Sequence, residues 1–226
     1  MLRRSTRHEG GSMKVTFIYD AQKDLWCVLN KGKTSLNSQH ATKQYEDLVA
    51  RYGENFTPEN ATEFIASYIS DHGLDVAHYT DTYQKDWENI AAEFQSRAEA
   101  LFKTTLPESI TGYLTINSRC PYSITNNYFF VAMPTPSSRR TAMHELWHFY
   151  TWHAFGVDQE EILGKQKYNE IKESLTVLLN IECADLLPPG IVDAGYPQHQ
   201  ELRARIVEFW NSNKDMHALW AHFTKV

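Results

Sequence analysis

The stretch Thr141-Ala142-Met143-His144-Glu145-Leu146-Trp147-His148-Phe149-Tyr150 constrains this chain more than any other. His144 and His148 are four residues apart, a spacing that on a helix stacks two side chains on one face, one turn apart. Two imidazoles so placed can bind one zinc ion. Glu145 falls beside that pair, where a carboxylate can take a proton from a zinc-bound water. The neighbours Ala142, Met143, Leu146, Trp147, Phe149 and Tyr150 make the helix apolar on nearly every side, which reads as buried. Buried histidines and glutamates are costly unless partnered. A metal supplies the partner; the alternative is a pair of core histidines joined by hydrogen bonds.

Around this core the stretch follows an extended pattern. Thr141 stands three residues before the first His, uncharged Leu146-Trp147 lie between the ligands, and hydrophobic Tyr150 follows two after the second. In these features it resembles the zincin metallopeptidases, sharply over the motif and loosely over the C-terminal half. Leu114–Tyr122 and Lys172–Thr176 also make the chain similar to an uncharacterised bacterial zincin-like family. The resemblance implies hydrolysis of peptide bonds by water activated on one Zn2+ per chain, with Glu145 as general base. It also implies a strand just before the motif helix, and an edge strand there that pairs with extended peptide or protein substrate through main-chain hydrogen bonds.

A catalytic zinc takes three protein ligands and keeps one position for water. The metzincin pattern fails, because the positions for its third His and its Gly are Ala154 and Thr151; His153 is one place short and falls on another helix face. Gluzincins, which the chain resembles more, draw a Glu from a following helix. Glu170 and Glu173 are the candidates. Glu170 lies in a hydrophilic run, whereas Glu173 stands at the edge of an apolar one and forms a polar stripe with Thr176 and Asn180. A polar stripe on an oily helix needs partners, which favours Glu173. Thr176 and Asn180 then either support the ligands or merely pack. Asp158 is a weaker third choice. The Asp that gluzincins often carry one turn after the ligand Glu is absent, since position 177 is Val and position 174 is Ser, so the group that would orient a histidine is unidentified. Tyr168, His199 and Tyr196 are candidates to stabilise an oxyanion. Ser118-Arg119-Cys120-Pro121 resembles the latency cysteine of some metallopeptidase prosegments, against the plainer reading of a buried, inert thiol.

Composition narrows the partners. Twenty-two basic against 28 acidic side chains give a net charge of −6, which argues against nucleic acid held by a general basic field. Three widely spaced cysteines argue against a disulfide scaffold and fit a reducing, cytoplasmic setting. No apolar run reaches the length of a membrane span. Residues 1–12, with Arg3, Arg4 and Arg7 before Gly10-Gly11-Ser12, read as a disordered tail, a cloning scar or a mis-assigned start ahead of Met13.

Residues 13–226 read as a single α+β unit: mainly helical, with a small, mostly antiparallel sheet and the HExxH helix at its site. An N-terminal part, 13–106, carries a hairpin of Val15–Tyr19 and Leu25–Leu29. Helices follow over Ser38–Arg51, from an N-cap at Thr57 to about Gly73, and along Val76–Lys103. The metal-binding part, 107–226, holds strands at Tyr113–Ile116 and Tyr128–Met133, the motif helix, a helix from Asp158 that turns apolar over Leu175–Ile181, and helices over about Gln198–Asn211 and from Lys214. Two readings compete with the peptidase. One is a non-catalytic zincin-like module whose structural metal supports protein binding. The other is a metal-free helical interaction protein.

Overall fold

The computed structural model describes residues 13–29, 50, 53, 56–118 and 120–225. The tail 1–12 and, apart from Ala50, the helix expected over Ser38–Arg51 lie outside them. Four strands form one sheet in the order β1-β2-β4-β3, with β1 at Lys14–Tyr19, β2 at Ser109–Thr115, β3 at Tyr122–Ser123 and β4 at Tyr128–Ala132. β1 and β4 both run parallel to β2, and only β3 is antiparallel, to β4. The sheet is therefore mixed and mainly parallel, not mostly antiparallel as expected.

The reason lies at Asp20. Its carboxylate accepts from the backbone N–H groups of Gln22 and Lys23, both at 2.9 Å, and starts helix α1 (Ala21–Val28) where the second arm of a hairpin was expected. The β-rich composition of Leu25–Leu29 yields to that cap, and β1 pairs instead with distant β2.

Alternation along the strands then sorts the two faces. Ile110, Leu114, Phe129 and Val131 point into the main core, while Tyr113, Tyr128 and Phe130 point to the side of α1. Gly112 is required between them: a Cβ there would lie 2.8 Å from the Phe17 ring and 3.2 Å from Phe129. α1 also buries Asp24, which accepts from the Thr115 hydroxyl at 2.6 Å and from the Ile116 N–H at 3.2 Å. Burial pushes this carboxyl from 3.8 up to about 6. A raised carboxyl pKa adds stability that is complete below pH 4 and is lost as pH rises through 6. Asp24→Asn is therefore expected to be more stable than the parent at pH 7.5, by up to about 3 kcal/mol, with the gap closing toward pH 4. Urea melts of both proteins across that range check this; a pH-independent gap contradicts it.

On the other face lie the helices α2 (Ala61–Asp71), α3 (Val76–Glu88) and α4 (Ala91–Phe102). The start of α2 is set by reciprocal bonds between Thr57 and Asn60, so Asn60 and not Thr57 is the N-cap. The stretch expected as one helix over Val76–Lys103 breaks at Asn89-Ile90. The break turns Trp87 and Phe94 onto each other, with ring centroids 5.6 Å apart. Helix α5 (Ser138–Thr151) carries the HExxH segment. The Ser137 hydroxyl caps it by accepting from the Arg140 N–H at 3.0 Å. A π-turn at Trp152–Gly156 leads into α6 (Val157–Leu163), then α7 (Lys165–Leu175), a 3-10 turn at Thr176–Leu178 and α8 (Leu179–Glu182). α9 (Gln200–Ser212) and α10 (Met216–Thr224) close the chain. One hydrophobic cluster runs from Met13 to Trp220 and includes Trp147, Phe149 and Tyr150 of α5. No helix among the described residues is long and apolar enough to cross a membrane.

Candidate metal centre

α5 is buried on almost every side, and its two histidines meet α7. His144 Nε2 and His148 Nε2 lie 3.0 Å apart. Glu173 Oε2 lies 3.3 Å from His148 Nε2 and 3.7 Å from His144 Nε2. Three donors about 2.0–2.1 Å from a tetrahedral ion stand roughly 3.3–3.4 Å from one another, so this triangle is close to the size a metal needs. His144, His148 and Glu173 are the one group of three or more such side chains among the described residues that could hold a metal ion. Glu173 Oε2 is buried and makes no hydrogen bond, as expected of an oxygen with a ligand to meet.

The orienting group missing from the sequence reading is Asp193. Its Oδ2 lies 2.6 Å from His144 Nδ1, which makes that nitrogen the protonated one and turns the lone pair of a neutral ring, at Nε2, toward Glu173. Asp193 is itself gripped from all sides. Arg203 donates to its Oδ1 at 3.2 Å and to its carbonyl at 2.5 Å. The Thr176 hydroxyl meets Oδ1 at 2.8 Å, and the Asn180 amide brackets its backbone N–H and C=O. Thr176 and Asn180 thus hold Asp193, the residue that orients His144. Gly195 permits this packing, because at φ +63° a Cβ would sit 2.5 Å from Arg203 Nη1.

Lys172 was also missed. It is buried, donates to Glu173 Oε1 at 2.9 Å and reaches the Tyr122 hydroxyl of β3 at 2.5 Å. It fixes the second oxygen of Glu173 and so aims the first at the histidines. In the sequence Lys172 looks like one more solvated charge of α7.

Electrostatics sort these groups. Burial opposes ionisation of Glu173, but His148, His144 and Lys172 hold its carboxyl well below the usual range. Burial likewise opposes charge on Asp193, yet its bonds to His144 and Thr176 and the Arg203 charge bring it down to about 2. Burial drives His148 down to about 3 and keeps its ring neutral, as a ligand must be. On His144 burial is outweighed by the carboxylates of Asp193 and Glu173, which raise it to about 10, so that a metal ion would have to displace a proton from Nε2 to bind there. Burial pushes Glu145 up to about 7. Its Oε2 is enclosed and makes no hydrogen bond, so it is an uncommitted base beside the triangle.

The triangle opens into a cavity of about 830 Å³ whose wall includes His144, Glu145, His148 and Glu173. Of the three candidates for oxyanion stabilisation, Tyr196 lines it and is half exposed. Tyr168 instead packs between Trp152 and Trp220 beside a smaller cavity, and His199 is buried off the wall. Glu170 takes a bond from Gln166 at the surface, while Asp158 and His153 are exposed; none joins the triangle. Cys120 lines the cavity, but burial pushes its thiol up to about 12 and keeps it protonated. The strand before α5, β4, is internal to the sheet; the edge beside the cavity is β3, through Tyr122.

Set against protein-family models, curated proteins and solved structures, the chain matches none. What the site can do therefore follows from its own geometry.

Proposed function

We propose that this chain hydrolyses peptide bonds with the help of one zinc ion held by His144, His148 and Glu173. The observation that carries the reading is the uncommitted Glu145 carboxylate beside three converging donors on the wall of an open cavity. A structural metal needs neither a spare base nor room for a substrate.

Bound zinc supplies a Lewis acid that polarises a carbonyl and lowers the pKa of water toward neutrality. Glu145 accepts the proton of the attacking water and passes it to the leaving amine. Asp193 keeps His144 in the tautomer that offers Nε2, and Lys172 keeps Glu173 turned inward. Of the candidate oxyanion donors, Tyr196 is the one that lines the cavity. Extended substrate runs along β3, the edge strand among the described residues, held by main-chain bonds that accept many sequences.

Zinc titration and cleavage of a peptide library by the zinc-loaded chain test this; absence of cleavage by a chain that carries its zinc contradicts it. Asp193→Asn is expected to weaken zinc binding about 10- to 100-fold, measured under conditions where its circular dichroism matches that of the parent, because the change also unpairs buried Arg203. Competition against a fluorescent chelator reads that change, and unaltered affinity would show that Asp193 merely packs.

A further inference from the structure

Two arginines open α5, and the fold treats them differently. Arg139 is saturated: its guanidinium binds the Asp86 carboxylate and donates to the Leu186 carbonyl at 3.2 Å. Arg140 is one turn before His144, on the same helix face, and lines the main cavity. Its guanidinium makes a single long contact, 3.4 Å from Nη2 to the Thr141 hydroxyl, and Nη1 stops 4.0 Å short of Asp193 Oδ2. Five N–H donors in a planar fork are thus left almost unused beside the candidate metal centre.

The other charges described on the wall have partners or stand apart from Arg140. Glu173 is paired with Lys172, and Asp193 with Arg203 and His144. Glu145 lies within reach of the field of Arg140 but forms no ion pair with it, as a base must not. A divalent ion in the triangle adds two positive charges to this balance. Among the described residues of the wall the balance is then positive, and the uncommitted Arg140 guanidinium fork has the geometry that grips a carboxylate through two parallel bonds.

Resting on the hydrolase reading above, we infer that Arg140 selects substrates by binding a carboxylate, either the free C-terminus of a peptide or an acidic side chain near the cleaved bond. Arg140 is a specificity residue: it holds a part of the substrate away from the reacting atoms.

The test uses the full chain with Glu145→Gln, loaded with zinc so that bound peptides persist. The probes are dansyl-labelled heptapeptide pools of neutral residues, with a free C-terminus, with an amidated C-terminus, or amidated with one internal Glu. Anisotropy is expected to show one carboxylate pool binding about 10- to 100-fold more tightly than the neutral amidated pool. The free-acid pool winning identifies a C-terminal carboxylate; the Glu pool winning identifies an acidic side chain. Adding Arg140→Met should bring that ratio to near one with zinc content unchanged, and Arg140→Lys should restore part of it.

Equal affinity of all pools, no measurable binding of any, or a preference that survives Arg140→Met overturns the inference; the last would mean that the carboxylate meets the zinc directly. The hydrolase reading is judged separately, by cleavage of the same pools with Glu145 intact. Cleavage without carboxylate preference sinks the Arg140 inference alone. Carboxylate preference without cleavage sinks the hydrolase reading alone.

Discussion

Glu145→Gln is expected to bind zinc as the parent does and to hydrolyse peptides at least about 10²-fold more slowly. The side chains are nearly the same shape, and Glu145 Oε2 makes no hydrogen bond, so no bond of the fold is lost at that oxygen. Glu145 is not one of the converging donors, so the triangle keeps its three members. What disappears is the only buried, uncommitted carboxylate described on the cavity wall, and with it the route for a proton from water to the leaving amine. The loss should fall on kcat rather than KM, since the proton moves only in the chemical step. Undiminished turnover with zinc retained would remove Glu145 from the mechanism and leave the metal with a different role.

The second large effect concerns the ligands. His148→Ala and Glu173→Ala are each expected to lower zinc affinity by more than about 10²-fold, beyond the range set by groups that only support a ligand. Activity at limiting zinc should vanish with the metal. His148 is almost fully enclosed and Glu173 is fixed by Lys172, so no neighbour can swing in to replace either. Glu170 and Asp158, the rival third ligands, lie at or near the surface and outside the triangle. Stoichiometric zinc in Glu173→Ala would therefore contradict the triangle itself.

The motif helix was legible because its information is local: two histidines at i and i+4 and an apolar surround lie within ten residues. Glu173 was legible through a weaker local signal, the polar stripe it shares with Thr176 and Asn180. Asp193 was not, because it reaches His144 from a loop 49 residues on, where no periodicity points at anything. Lys172 was hidden by its type, since lysine in a hydrophilic stretch reads as solvated until the neighbouring strand β3 is in place. The sheet misled for the same reason. Strand order depends on pairing between distant segments, and the runs at Val15–Tyr19 and Leu25–Leu29 look like partners only when the cap at Asp20 is overlooked.

X-ray absorption at the zinc edge, on the full chain given one equivalent of zinc, tests the central claim most directly. The expected spectrum has two imidazole nitrogens and one carboxylate oxygen at about 2.0–2.1 Å, with a fourth light ligand that exchanges with added anions. No zinc taken up under replete conditions, or a shell that includes sulfur at about 2.3 Å, would contradict it.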